Sequence, residues 1–160
     1  MDHHVDVVKE VARACPLPIN KESPIEAQAW ILHTQIALEI EAASAHDVIV
    51  CDRSVLDNYA YFAVSSGRHP AYDPLVRSWL ATYDELVWVP VTSNPRFDGV
   101  RDTDRSYQQR IEQQIGELAE DLGATPFRLH DVDPSRWIDE VVERLPFENT
   151  QLPLFDEDTL

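Results

Sequence analysis

Glycine and lysine are scarce in this chain, and their scarcity excludes one kind of phosphate-binding loop. The 160 residues contain four glycines, Gly67, Gly99, Gly116 and Gly123. A loop of the form GxxxxGK[ST] needs glycines close to a lysine, because its backbone amides and its lysine hold phosphate together. The lysines Lys9 and Lys21 are each followed by glutamate in stretches without glycine. Neither can take the place of the missing loop.

Positive charge, long apolar runs and cysteine pairs are also lacking. A formal charge of -16 argues against direct binding to nucleic acid or to anionic membranes, since both need a basic surface. No apolar run approaches the ~18 residues of a membrane span, and the charged start MDHHVDVVKE lacks a signal peptide. Cys15 and Cys51 lie far apart and are expected to be reduced, which fits the cytoplasm. No His or Cys recurs at ligand spacing, so we expect no metal site formed by protein ligands alone.

The cations that are present are mostly arginines, and several of them cluster. Arg96, Arg101, Arg105 and Arg110 fall within fifteen residues. The planar guanidinium suits two-point contacts with phosphate oxygens. The alternative is that arginine use reflects a GC-rich genome and that these side chains are solvated.

The order of periodic segments predicts an α/β fold with a parallel sheet and helices on both faces. Apolar runs predict strands, and segments with helical spacing or capping signals predict helices between them. The predicted strands are residues 5–8, 48–52, 85–91 and 125–131; the predicted helices are 24–44, 55–66, 70–84, 103–122 and 134–145. Residues 48–52 are expected to form an interior strand that is covered on both faces. Gly123 is expected to end the long fourth helix.

The first helix has a clear predicted start. Ser23 is expected to be its N-cap, Pro24 its first residue and Glu26 the second half of a capping box. Its buried face is predicted from helical spacing to contain Ala27, Trp30, Ile31, Thr34 and Leu38, widened by Ile36 and Ile40.

The chain divides into a domain, residues 1–145, and a tail, residues 146–160. The tail, PFENTQLPLFDEDTL, has two prolines, acidic residues and no periodicity. We expect it to be mobile when the chain is alone.

Asp52 and Arg53 follow the apolar run VIVC and are the strongest candidates for chemistry. Ligands of open parallel sheets bind beyond the carboxyl ends of the strands, which is where this pair should emerge. Asp52 could hold magnesium through water or orient a hydroxyl, and Arg53 could neutralise a phosphate. The alternative is structural: Asp52 caps the next helix and Arg53 pairs with Asp57.

Residues 48–62, VIVCDRSVLDNYAYF, resemble the DRS or ERS segment of P-loop nucleoside and nucleotide kinases. They are most similar to thymidylate-kinase-like and nicotinamide-riboside-kinase-like AAA-type ATPases. The matching residues are Asp52, Arg53, Ser54, Asp57, Asn58 and Tyr61. The resemblance implies binding of ATP and magnesium, with phosphoryl transfer to a small nucleoside-like acceptor.

The same resemblance implies roles for individual residues. Asp52 would be a catalytic carboxylate that also holds magnesium indirectly, and Arg53, Gln35 and Tyr61 would bind substrate. Gln35 could equally be a structural hydrogen-bond donor on a buried helix.

Residues 98–110, DGVRDTDRSYQQR, resemble the mobile lid of these kinases. Arg101 and Arg105 would then stabilise the charge of the transferred phosphoryl group and exclude water. The alternative is that they form surface ion pairs with Asp102, Asp104 and Glu112.

The resemblance covers residues 5–145 but lacks the family's strongest marker. In the family, a strand, the phosphate loop and a helix precede the segment that matches VDVVKEVARACP, so roughly 30 to 40 residues are expected to be missing here. The missing strand would be central, and its neighbours would keep unpaired amides and an uncovered apolar seam. We therefore expect this chain to bind ATP weakly or not at all.

The tail carries a separate signal. QLPLF resembles the pentapeptide by which bacterial polymerases and repair proteins dock on the DNA sliding clamp, with Gln151 as polar latch and Leu152, Leu154 and Phe155 as apolar anchors. The alternative is that Leu and Phe fold back on the domain. The second hypothesis is therefore that this chain is a noncatalytic interaction protein that retains the fold of the family.

Overall fold

A computed structural model describes residues 5–19, 23–89, 105–130 and 133–145. The chain has the α/β class that its sequence predicts. The strands are β1 (Val5–Val8), β2 (Val48–Cys51), β3 (Val87–Trp88) and β4 (Phe127–Arg128). The helices are α1 (Ile25–Ala43), α2 (Val55–Ser66), α3 (Tyr72–Leu80), α4 (Arg105–Leu122) and α5 (Trp137–Val142), with short 3₁₀ turns at Val11–Ala14 and Pro134–Arg136.

The described strands form two separate parallel pairs. β1 pairs with β2, with Val5 opposite Val48 and Val8 opposite Cys51. β3 pairs with β4, with Val87 opposite Phe127. Parallel strands need crossover connections, and here the crossovers contain α1 between β1 and β2, and α4 between β3 and β4.

α2 lies at the centre of the packing. α1 and α4 both contact it, and α3 packs against both α2 and α4. Its apolar side chains Tyr59 and Phe62 are fully buried, together with Leu32 of α1, Val76 of α3 and Leu118 of α4. The four helices therefore share one apolar core.

The buried face of α1 differs from the predicted one. Leu38 and Ile40 are 39% and 56% exposed, whereas the polar side chains of Gln35 and Glu39 are buried. Periodicity ranks side chains by polarity alone, so it cannot find polar groups that are buried because they have hydrogen-bond partners. The prediction that Leu38 and Ile40 belong to the buried face is wrong.

The start of α1 also differs by one residue. The helix begins at Ile25, and Pro24, in extended conformation, is the N-cap residue without a side-chain cap. Its carbonyl accepts from the amides of Ala27 and Gln28. The predicted cap at Ser23 with Pro24 as the first helical residue is therefore wrong. The bounds of α2 and the end of α4 are confirmed, and Gly123 has the positive φ of 78° that suits a C-terminal glycine.

β2 is covered on one side only. Val50 is 53% exposed, which contradicts the prediction of a strand buried on both faces. β3 and β4 are shorter than predicted, with two residues each, although residues 90, 91 and 131 lie outside the described part. None of the described helices combines the length and the apolar character that a membrane span requires.

Candidate functional site

The carboxyl ends of β1 and β2 lie side by side and bring two polar segments together. Val8 and Cys51 are opposite each other, and the amide of Asp52 donates to the carbonyl of Val8 at 2.8 Å. Glu10 follows β1, and Asp52 and Arg53 follow β2, so all three emerge at one edge of the sheet. The structure thus has the Asp52–Arg53 pair where the sequence predicts it, and Asp52 is exposed.

A carboxylate between two guanidinium groups lies at the centre of this edge. Arg53 Nε donates to Glu10 Oε1 at 2.8 Å, and Arg13 Nε donates to Glu10 Oε2 at 2.8 Å. The Glu10 side chain is only 9% exposed, so these pairs are shielded from solvent on one side. Asp57, the partner proposed for Arg53 in the structural alternative, instead joins a helix cap.

Sequence reasoning missed Glu10. Its signal was available: like Asp52, it follows a short apolar strand within two residues, at the same predicted edge. Only the pairing of β1 with β2 shows that the two segments are neighbours.

The backbone of Arg53 is in the left-handed region with φ of 83°, the one non-glycine residue of the described chain with positive φ. Such a conformation costs energy in an L-residue and persists when neighbours hold it. Here Gln35 Nε2 donates to the carbonyl oxygen of Arg53 at 3.1 Å.

The guanidinium of Arg53 lies over the ring of Tyr61, 5.0 Å from its centre. Burial alone would lower the pKa of Arg53, but Tyr61, Glu10 and Asp57 outweigh burial and raise it. Arg53 is therefore permanently charged at this edge.

An aromatic wall continues from Tyr61 toward α4. The rings of Tyr61 and Tyr107 are 6.3 Å apart, and the guanidinium of Arg110 lies 5.4 Å from the centre of Tyr107. Arg105, a predicted lid residue, begins α4 and is exposed. Arg101, the other predicted lid residue, lies outside the described residues, as do Gln151, Leu152, Leu154 and Phe155.

Gln35 is fully buried, and its amide is occupied by the protein. Its Nε2 donates to Glu39 Oε1 at 2.7 Å in addition to Arg53, and its Oε1 accepts from Asn58 Nδ2 at 3.3 Å. These contacts favour the structural alternative for Gln35. Gln35 thus holds the backbone carbonyl of Arg53 in place.

Glu39 anchors this support. It is 5% exposed and accepts from Trp79 Nε1 at 2.6 Å and from the hydroxyl of Tyr83 at 3.0 Å, besides Gln35. Burial, followed by the charge and hydrogen bond of Glu39, raises the pKa of the Cys51 thiol to about 12. Burial likewise raises the pKa of Tyr83.

The backbone amides at the amino end of α2 donate hydrogen bonds to the side chains of Ser54 and Asp57. Ser54 Oγ accepts from the amides of Leu56 and Asp57, and Asp57 Oδ2 accepts from the Ser54 amide at 2.9 Å. The alternative in which Asp52 caps this helix is therefore wrong. Asp52 remains at the edge as an exposed carboxylate.

The described residues fit a magnesium–nucleotide site in part. Asp52 is a hard oxygen ligand suited to magnesium held through water, and Arg53 and Arg13 bring positive charge to the same edge. No group of three His, Cys, Asp or Glu side chains in the described ranges could hold a metal ion by itself. The glycines described, Gly67, Gly116 and Gly123, belong to helices or their ends, and so provide no backbone cradle for phosphate at this edge.

An open cleft of about 570 Å³ lies elsewhere, between α4 and the β3–β4 pair. Trp88, Gly116 and Arg128 line it together with Glu112, Glu117 and Glu120. Of the predicted site residues that the structure describes, none lines this cleft. Its three glutamates would repel phosphate.

Among models of protein families, that of a family described as AAA domain matches residues 3–137. Comparison with curated proteins gives no match. The matched range contains β1 and β2 and the four charged residues at their carboxyl ends: Glu10, Arg13, Asp52 and Arg53.

Proposed function

The chain belongs to the AAA domain family, and on that premise we propose that the carboxyl edge of β1 and β2 handles the phosphates of a nucleotide. Membership of this family indicates a nucleotide-binding, ATPase-like function. The observation that supports the location is the convergence of Asp52, Arg53 and Glu10 at one sheet edge. The finer proposal is ATP-dependent phosphoryl transfer to a small nucleoside-like acceptor.

Asp52 and Arg53 have different roles in this proposal. Magnesium–ATP, when bound, supplies the transferable phosphoryl group. The exposed carboxylate of Asp52 holds magnesium through water or accepts the proton of an acceptor hydroxyl. Arg53 anchors phosphate oxygens, and its ion pair with Glu10 fixes the orientation of its planar fork.

The aromatic wall is suited to the acceptor. Tyr61 and Tyr107 lie between the guanidinium groups of Arg53 and Arg110, and both rings are half-buried. A planar base can stack on such rings, and the flanking cations favour an anionic ligand. Arg105, at the start of α4, would stabilise the transferred group together with Arg101, which precedes it by four residues in the sequence.

Calorimetric titration with ATP, with and without magnesium, tests the site. We expect weak binding, with a Kd on the order of 1 mM, because the 160 residues contain no phosphate loop of the form GxxxxGK[ST]. Asp52→Asn should remove the dependence on magnesium. Asp47→Asn is the matched control, since Asp47 is also an exposed carboxylate and lies at the opposite end of β2. Micromolar binding would contradict the weak affinity, and an unchanged titration of Asp52→Asn would contradict the location.

A second candidate function is noncatalytic, and the pentapeptide QLPLF is the observation that favours it. In this reading, Glu10 holds Arg53 as a purely structural pair, and Gln151, Leu152, Leu154 and Phe155 dock on a sliding clamp. A pull-down with bacterial clamp should lose the complex on combined Gln151→Ala and Phe155→Ala substitution. Equal binding of the clamp by the parent and the doubly substituted protein would contradict the clamp hypothesis.

A further inference from the structure

Two hydrogen bonds hold the backbone that carries Arg53, one on each side of Ser54. Gln35 Nε2 donates to the carbonyl oxygen of Arg53 at 3.1 Å. The amide of Val55 donates to the hydroxyl oxygen of Tyr83, also at 3.1 Å. Residues 53–55, the arginine turn, are therefore held at both ends by side chains that are distant in the sequence.

The side chains that hold the arginine turn both contact the same oxygen atom. Glu39 Oε1 accepts from Gln35 Nε2 at 2.7 Å and from the hydroxyl of Tyr83 at 3.0 Å. The other carboxylate oxygen of Glu39, Oε2, accepts from Trp79 Nε1 at 2.6 Å. One oxygen of Glu39 is thus connected to both ends of the arginine turn.

The chemistry of a carboxylate fixes the direction of these hydrogen bonds. A carboxylate oxygen accepts and cannot donate, so the amide of Gln35 must turn its NH2 group toward Glu39. The second hydrogen of that NH2 group then goes to the carbonyl of Arg53. The one hydrogen of the Tyr83 hydroxyl likewise goes to Glu39, and the hydroxyl oxygen is left to accept from Val55. Glu39 Oε1 therefore determines how both ends of the turn are bound.

The burial of Glu39 is costly, and packing does not account for it. Glu39 is 5% exposed, and its described donors are a neutral amide, an indole and a hydroxyl group. Burying a carboxylate costs desolvation energy, and an apolar side chain of similar size would fill the same space without that cost. The arginine turn supplies a reason, because Arg53 has the strained φ of 83°, which persists when neighbouring groups hold it.

We propose that Glu39 is a positioning residue for Arg53 and acts through Gln35 and Tyr83. It holds the arginine turn in the left-handed conformation from which the guanidinium of Arg53 reaches Glu10. Without Glu39 Oε1, the turn relaxes toward negative φ and the guanidinium leaves Glu10. The inference rests on the proposed function in one respect, since a displaced Arg53 would also lose the phosphate that it anchors.

Hydrogen exchange at Arg53 Nε, measured by NMR on the protein without ligand, tests the positioning role. This hydrogen is donated to Glu10, so its exchange with solvent reports how often the ion pair opens. Tyr83→Phe removes the hydroxyl that joins Glu39 to the arginine turn. We expect this variant to exchange the Arg53 hydrogen at least about tenfold faster than the parent protein does.

Tyr59→Phe is the matched control for Tyr83→Phe. It also removes a hydroxyl that is bonded to a carboxylate, but this carboxylate is Asp73 of α3, at 2.6 Å. The exchange at Arg53 Nε should stay within about twofold of that in the parent protein. Equal exchange in the two tyrosine variants would overturn the proposal.

Substitutions of Glu39 give a second readout of the same hydrogen. Glu39→Gln keeps a carbonyl oxygen that can serve both donors of Oε1, so the exchange at Arg53 should stay within about twofold of that in the parent. Glu39→Leu has a similar volume but no acceptor and should raise the exchange at least about tenfold. Trp79→Phe removes only the contact with Oε2 and is the control. Parent-like exchange in Glu39→Leu would overturn the proposal, as would equal acceleration by Trp79→Phe, because the loosening would then be general.

Titration with magnesium–ATP separates this inference from the proposed function. Where Arg53 anchors phosphate, Tyr83→Phe should raise the Kd at least about threefold relative to Tyr59→Phe. A parent protein that does not bind ATP would contradict the proposed function, and the exchange of the Arg53 hydrogen would still decide the positioning role. A parent protein that binds ATP, together with equal Arg53 exchange in the two tyrosine variants, would contradict the positioning role alone.

Discussion

Arg53 combines an unfavourable backbone conformation with favourable side-chain contacts. Its φ of 83° is one that glycine adopts readily, yet a glycine would lose the ion pair with Glu10 and the contact with Tyr61. The chain thus keeps arginine despite the strain. Strain that is held in place by neighbours is typical of functional sites, and here Gln35 supplies part of the hold.

Two substitutions of Arg53 separate the energy cost of its backbone conformation from the contribution of its side chain to stability. Arg53→Gly and Arg53→Ala lose the same guanidinium, but only glycine fits the left-handed backbone freely. We expect Arg53→Gly to be the more stable of the two by about 1 kcal/mol in urea unfolding. Arg13 provides the control, because it lies in a 3₁₀ turn with ordinary φ, and Arg13→Gly should be less stable than Arg13→Ala. Equal stability of the two Arg53 variants would show that the backbone is unstrained in solution.

The Cys51 thiol makes the stability of the protein depend on pH. Its pKa is raised from 9.0 to about 12 in the folded protein, by burial first and then by Glu39. Between pH 9 and pH 12 the unfolded chain therefore releases a proton that the folded chain retains, so stability falls as the pH rises through this window. Below pH 9 the thiol is protonated in both states and contributes no pH dependence. Tyr59, with a pKa of about 12, adds to the same alkaline trend.

Urea unfolding at pH 8 and at pH 10.5 measures this term. Cys51→Ala should lose less stability between the two pH values than the parent protein does, although it is less stable at pH 8 because the sulfur atom and its packing contacts are lost. Val8→Ala is the control: Val8 lies opposite Cys51 and is buried but does not titrate, so this variant should be less stable and keep the parent's pH dependence. An identical pH dependence for Cys51→Ala would contradict the raised pKa.

At the scale of elements, Glu39 ties α1 to α3 and to the residues after it. Its carboxylate accepts from Gln35, from Trp79 near the end of α3 and from Tyr83. Without the carboxylate, the half-buried donors of Trp79 and Tyr83 would lose this acceptor, and Gln35 would keep only the carbonyl of Arg53.

Glu39→Ala should therefore destabilise the protein by about 3 to 5 kcal/mol, through donors left unpaired and a cavity. Glu39→Gln keeps one carbonyl acceptor and should cost less. Glu41→Ala, on the exposed side of the same helix, should change stability by less than about 0.5 kcal/mol. The free energy of unfolding in urea measures all three. A Glu39→Ala cost no larger than that of Glu41→Ala would refute the role of the network.

Local signals in the sequence were sufficient where one element decided the outcome. α2 has the predicted bounds because Ser54 and Asp57 cap it and Gly67 follows it. The edge position of Asp52 followed from the apolar run before it. Signals failed where distant elements meet: Gln35 and Glu39 are buried because α2 and α3 supply partners, and Glu10 joins the site because β1 pairs with β2. No periodicity within α1 carries that information.

At the scale of the whole molecule, charge is the dominant imbalance. The chain carries -16 at pH 7, and self-repulsion of that size opposes compact folding. Surface ion pairs act the other way: Arg68 pairs with Asp73 and Asp121, and Arg144 pairs with Glu85. Exposed pairs of this kind contribute roughly 0 to 1 kcal/mol each and are screened by salt as well.

The dependence of the Tm on salt shows whether the repulsion or the ion pairs have the larger effect on stability. Raising ionic strength from about 0.01 M to about 0.1 M shortens the screening length from about 30 Å to about 10 Å, which weakens long-range repulsion more than short ion pairs. We therefore expect the Tm to rise by about 2 to 4 °C. The combined variant Glu26→Gln, Glu41→Gln and Glu120→Gln removes three exposed charges and should show a smaller rise. A Tm that falls with salt would mean that the ion pairs outweigh the repulsion, since screening would then remove more attraction than repulsion.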